Sequence, residues 1–171
     1  HELVRMVAAR EVSPVELLDW TLSRIHETND KLHAYLTVVP EQAMDSAVAA
    51  EKAVMRGDKL GPLHGLPFPI KDLVPTAGIR TTFGSAIYAD NIPEKDDIVV
   101  TRIKAAGAVI VGKTNTPEFG HLGYTSNKLG ENCRNPWDTT RESGGSSGGA
   151  ASSVAAGITA LAQGGDGGGS I

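Results

Sequence analysis

Two glycine–serine runs, Gly144-Gly145-Ser146-Ser147-Gly148-Gly149 and Gly167-Gly168-Gly169-Ser170, stand out as places where chemistry could be done. Repeated glycine ahead of a serine puts unhindered backbone N–H groups beside a hydroxyl, the arrangement an oxyanion hole requires. A flexible linker has the same composition. A linker, however, does not lead into an Ala/Val-patterned helix, then an apolar stretch, then a second glycine run, as happens here. Lys71 follows the apolar approach Leu66-Pro67-Phe68-Pro69-Ile70. Burial there would disfavour the ammonium form and lower the lysine pKa. A neutral lysine can take a proton from a serine hydroxyl. The competing reading of Lys71 is a surface lysine paired with Asp72.

Other chemistries fit less well. A phosphate-binding loop lacks its Gly-Lys-Ser/Thr ending, and no Gly-x-Gly-x-x-Gly opens a clear helix. Gly144-Gly145-Ser146-Ser147-Gly148 does match the Gly-x-Ser-x-Gly elbow of α/β-hydrolase-type serine esterases. That fold needs its Asp and His after the serine, and all five histidines precede Ser146. His64 and His121 read as structural or surface residues, Cys133 as a loop residue outside any catalytic motif, and Trp137 as a packing anchor.

These groups need elements to hold them. Ser13-Pro14-Val15-Glu16 reads as a capping box with proline at the first helical position. Val15, Leu18, Leu22 and Ile25 then recur at helical spacing, with a stop expected near Asn29-Asp30. Ala34–Val39 is a strand candidate, and residues 40–56 read as a helix ended by Gly57. Three prolines between Gly61 and Asp72 forbid a helix and confine any strand to an edge or a short extended run. A helix is expected over 97–106, a buried strand over 108–112, irregular chain with a turn at Asn135-Pro136-Trp137 over 114–143, a small-residue helix over 149–156 and a strand over 158–163. Helices alternating with short apolar strands indicate an α/β sheet.

Taken together and in order, five motifs resemble the amidase signature family. They are Gly65-Leu66-Pro67-Phe68-Pro69-Ile70-Lys71-Asp72, Gly112-Lys113-Thr114-Asn115-Thr116-Pro117-Glu118-Phe119, Asn135-Pro136-Trp137, Gly144 to Gly149, and Asp166-Gly167-Gly168-Gly169-Ser170-Ile171. The separations resemble the family's too: 75 residues from Lys71 to Ser146 and 24 from Ser146 to Ser170. The resemblance implies a mixed sheet sandwiched between helices and a Ser–cis-Ser–Lys triad that hydrolyses a carbon–nitrogen amide bond through an acyl-enzyme. Lys71 would be the base, Ser146 the bridging serine on a cis peptide bond, and Ser170 the nucleophile. Backbone N–H groups of Gly167, Gly168, Gly169 and Ser170 would form the oxyanion hole, and Asp166 would hold that loop in shape. No metal or other cofactor is implied. The alternative within the family is the A subunit of a tRNA-dependent amidotransferase, a glutaminase. Such subunits usually show Asp-Glu-Phe where this chain has Pro117-Glu118-Phe119, which favours a free-standing amidase. Gly165 stands where the family often has Thr or Ser before the aspartate.

Composition sets the outer bounds. The 171 residues carry 16 basic and 20 acidic side chains, for a net charge of -4. Hydrophobic residues at 40% and charged residues at 21% exclude disorder and a fibre. Mild acidity without a Lys/Arg block argues against direct nucleic-acid binding. The longest uncharged run, 143–165, is too rich in Gly, Ser and Ala for a lipid-facing span. One cysteine allows no internal disulfide and fits a cytoplasmic setting. A small amide is the expected partner, and self-association is left open. The chain opens on His1 and stops at Ile171 straight after its densest glycine run, so residues 1–171 are expected to be the N-terminal part of a single, longer amidase signature domain.

Overall fold

The computed structural model describes all residues from His1 to Ile171. It opens with a short helix, α1 (Glu2–Ala8), for which the sequence carries no start signal. Helix α2 (Pro14–Leu32) begins as expected: the Ser13 hydroxyl accepts from the N–H of Glu16, and the Glu16 carboxylate accepts from the N–H of Ser13. It passes the expected stop at Asn29-Asp30 and ends on His33 in the left-handed region. Strand β1 (Tyr35–Val38) follows, then α3 (Pro40–Arg56), closed by Gly57 at φ 76°. Glycine takes that conformation without the steric cost a Cβ would add.

Strand β2 (Pro67–Lys71), helix α4 (Ile98–Ala105) and strand β3 (Val109–Thr114) complete a three-stranded mixed sheet in the order β1-β3-β2. β1 is antiparallel to β3, and β2 is parallel to it. The proline-rich strand sits at an edge, where missing N–H groups break no ladder. Alternation along β3 covers both faces of the sheet. Val109 and Val111 join Leu18, Ile25, Ala43 and Ala47 of α2 and α3 in one core. Ala108 and Ile110 join Phe68, Ile70 and Val100 of α4 in the other. The fold is thus α/β, with the mixed sheet sandwiched between helices.

The strand expected over 158–163 does not form, although Ile158 is buried in the core and Gln163 reaches β2. An exposed hairpin, β4 (Arg134–Asn135) and β5 (Asp138–Glu142), occupies part of the stretch expected to be irregular. Trp137 lies at its turn and is 84% exposed, so it is no packing anchor. Helix α5 (Gly148–Ala155) matches the small-residue helix. No helix is long and apolar enough to cross a membrane.

Candidate active site

The first glycine–serine run is packed, which a linker would not be. A Cβ on Gly149 would lie 2.3 Å from the Asn115 nitrogen and 2.5 Å from the Ala34 carbonyl oxygen. One on Gly148 would lie 2.2 Å from Thr125 Oγ1. Only glycine lets the start of α5 rest against the end of β3, where the Gly149 N–H donates to the Asn115 carbonyl. Asn115 is itself held, its amide donating to the His33 carbonyl and its Oδ1 accepting from Asn127. The Thr116 hydroxyl donates to the Ser146 carbonyl at 3.0 Å. The Gly145–Ser146 peptide bond is cis, as the resemblance implied.

This packing brings the serines to Lys71 at the end of β2. Lys71 is 2% exposed, and its Nζ lies 2.7 Å from Ser146 Oγ, 2.8 Å from Ser147 Oγ and 3.3 Å from the Gly165 carbonyl. It is not the surface partner of Asp72. Burial lowers its pKa from 10.5 to about 8, and the charge of Asp166 opposes that fall. No histidine of residues 1–171 bonds Lys71, Ser146 or Ser147. His64 bonds the Ala50 carbonyl, and His121 is exposed on the cavity wall.

The two serines differ in what their hydroxyls can do. The Ser147 hydroxyl donates to the Gly165 carbonyl at 3.0 Å, while its oxygen accepts from the Gly165 N–H at 3.2 Å. It can therefore only accept from Lys71. Ser146 Oγ has Lys71 as its one partner. With neutral lysine, two N–H groups go to Ser147 and Gly165, and the lone pair is left for the Ser146 proton.

Ser170 lines the same cavity of about 520 Å³, together with Lys71, Ser146, Phe119, Gln163 and Gly167. Its carbonyl accepts from the Ser147 N–H at 3.0 Å, and its hydroxyl makes no hydrogen bond to Ser146. Asp166 holds the turn: its carboxylate accepts from the N–H groups of Gly168 at 2.9 Å, Gly169 at 2.5 Å and Ile171 at 3.1 Å. Backbone N–H groups, that of Gly169 first and then those of Ser170 and Ile171, hold its pKa at about 2. Of the four expected oxyanion donors, Gly168 and Gly169 donate to Asp166, the N–H of Ser170 faces the same carboxylate, and the N–H of Gly167 has no protein acceptor.

Sequence reading overlooked the support beneath the site. Lys113 is fully buried and donates to the Val74 carbonyl at 2.6 Å, Thr81 Oγ1 at 2.8 Å and Thr76 Oγ1 at 3.1 Å. It lies 3.9 Å from Asp72, which accepts from the Thr82 N–H and hydroxyl. Asp72 Oδ1 has no hydrogen-bond partner. Burial raises the Asp72 pKa and lowers that of Lys113 to about 8. The Gly112-Lys113-Thr114-Asn115 motif was the available signal, but sequence alone does not show which carboxylate a buried lysine meets.

The family model "Amidase" matches residues 16–171. The chain is 43% identical to an acylamidase of Rhodococcus erythropolis over 170 residues, 99% of this chain and 36% of that one. It is 46% identical to a glutamyl-tRNA(Gln) amidotransferase subunit of Carboxydothermus hydrogenoformans, again over 99% of this chain and 35% of that one. Among solved structures, a crystal structure of an amidase superposes with a TM-score of 0.91 at 36% identity, over 99% of this chain and 39% of that one. A peptide amidase from Stenotrophomonas maltophilia gives 0.86 at 29% identity, over 94% and 34%. The chain thus spans about a third of the length of the relatives it matches. With the ordered motifs, the Lys71–Ser146 contact and a match over nearly its whole length, the chain belongs to the amidase (amidase signature) family.

Proposed function

We propose that residues 1–171 form part of a single amidase signature domain that hydrolyses a carbon–nitrogen amide bond through Lys71, Ser146 and Ser170. The observation that carries this reading is the 2.7 Å contact between Lys71 Nζ and a Ser146 hydroxyl with no other partner. Neutral Lys71 takes the Ser146 proton as Ser146 takes that of Ser170. Ser170 Oγ attacks the amide carbonyl, and the negative charge that develops on the carbonyl oxygen is met by the N–H of Gly167, the donor of the 167–170 turn not committed to Asp166. As the C–N bond breaks, the proton returns through Ser146 to the leaving nitrogen. Water then cleaves the acyl-enzyme ester and regenerates Ser170. Catalytic hydrogen bonds often tighten only when substrate is bound, which accommodates the missing Ser146–Ser170 bond. A cavity of about 520 Å³ suits a small amide, since ligand sites run from roughly 300 to 1,000 Å³. Groups already on the chain carry every step, so the mechanism assigns no cofactor.

The test is turnover of simple amides by the full-length enzyme and by Lys71→Ala. Loss of several orders of magnitude in a folded variant is expected, and near-native turnover would end the assignment. A role as the glutaminase component of an amidotransferase is the second reading, favoured by the 46% identity to such a protein. Isolation of the full-length protein in a stoichiometric complex would support it, and unaided amidase activity would support the free-standing enzyme.

A further inference from the structure

We propose that Gln163 is a positioning residue for Lys71, its side-chain carbonyl replacing a main-chain carbonyl in a parallel bridge to β2. The inference rests on the reading of Lys71 as the base. Leu66 and Asp72 bond β3, through the Leu66 carbonyl and the Asp72 N–H. Alternation therefore turns the N–H positions of residues 67, 69 and 71 to the free edge of β2. Pro67 and Pro69 have no N–H to offer, so the free edge of the strand presents a single donor, that of Lys71.

Gln163 engages that edge with two bonds. Its N–H donates to the Pro69 carbonyl at 3.0 Å, and its Oε1 accepts from the Lys71 N–H at 3.1 Å. In a regular parallel bridge, the second bond would go to the residue's own main-chain carbonyl. Handing it to the side chain frees the main chain to leave the sheet at this point. The side chain then braces the departure, its Nε2 donating to the Gly164 carbonyl at 2.5 Å. Gly165 and Ser147 bond each other immediately beyond, and Ser170 follows on the cavity wall. One glutamine thus fixes the backbone of Lys71 and the direction in which the Ser170 segment crosses it. Any other group that satisfied the Lys71 N–H would leave that direction unset.

The titratable groups facing the site are Asp166 from the 164–170 turn and His121 on the cavity wall, whereas the neighbouring Asp72 is engaged by Thr82 and Lys113. Full-length Gln163→Met and Gln163→Glu, beside Lys71→Ala, provide the test. Gln163→Met removes the acceptor at nearly constant volume. Its kcat is expected to fall roughly 10- to 100-fold with KM little changed, because small misplacements of reacting groups cost about that much. Gln163→Glu keeps an acceptor and adds a negative charge, so the acid limb of its pH–rate profile should move to higher pH by roughly one unit. Turnover lost in Lys71→Ala but unchanged in kcat and pH limb in both Gln163 variants would overturn this inference alone. So would a fall in thermal stability with no change in either kinetic quantity. Turnover surviving in Lys71→Ala would sink the base and this inference together.

Discussion

Replacing Lys71 with methionine should abolish turnover and should also change how stability depends on pH. The second effect has a magnitude that follows from burial. Lys71 is 2% exposed, and burial moves its pKa from 10.5 to about 8 against the opposing charge of Asp166. Unfolding restores water to the ammonium and returns its pKa to about 10.4. Between these values the unfolded chain binds more protons than the native one, so this lysine makes stability rise with pH. One pKa unit corresponds to about 1.4 kcal/mol, so at pH 7 the buried ammonium costs roughly 3 kcal/mol. That cost declines above pH 8, and about 2.5 kcal/mol of it is recovered by pH 10. The methionine variant carries no proton and lacks this slope. It instead leaves the Ser146 hydroxyl unpartnered, at a cost of about 1–3 kcal/mol. At pH 7 the two proteins should therefore lie within a few kcal/mol of each other. Urea denaturation of full-length wild type and Lys71→Met at pH 7, 8, 9 and 10 reads the difference directly. It should move toward wild type by about 2–3 kcal/mol across the series. A difference that stays flat would show that Lys71 titrates near its ordinary value and is protonated throughout the neutral range.

Ser146→Ala should lose activity as severely as the lysine variant. Ser147→Ala should keep part of its turnover in kinetic assays, because the Ser147 hydroxyl proton is committed to Gly165. Asp166→Asn should lower kcat by loosening the turn that carries Ser170, and should shift the acid limb of the pH–rate profile to lower pH. The sign follows from the Asp166 charge raising the Lys71 pKa. Lys113→Met should destabilise by roughly 3–5 kcal/mol in denaturant titrations, because it strands the buried Asp72 carboxylate. The loss should shrink at acid pH, where protonation removes that charge.

How legible the molecule is in its sequence depends on how local each signal is. Ser13, Pro14 and Glu16 mark the start of α2 because a capping box is complete within four residues. The prolines at 67 and 69 mark β2 as an edge strand because the missing donors lie in the strand itself. The order and spacing of the glycine–serine runs point to Lys71, Ser146 and Ser170 through a family resemblance. By contrast, residues 158–163 have a strand's composition, yet only Gln163 bonds β2, and it does so partly through its side chain. The hairpin over 134–142 shows no apolar alternation to read, since Asp138 to Glu142 are all exposed. Trp137 shows that aromatic size does not by itself ensure burial. The Asp72–Lys113 pair joins residues 41 positions apart, and the Gln163–Lys71 bond spans 92. Contacts of that range are set by how strands are laid side by side, and no local pattern encodes them.

The identity of the nucleophile tests the account most directly. Full-length enzyme treated with a fluorophosphonate, digested and mapped by mass spectrometry should carry the adduct on Ser170. The same treatment of Lys71→Ala should leave Ser170 largely unlabelled, because the chain of proton transfers through Ser146 has lost its base. An adduct on Ser146 or Ser147, or full labelling of Ser170 without Lys71, would contradict the assignment of roles.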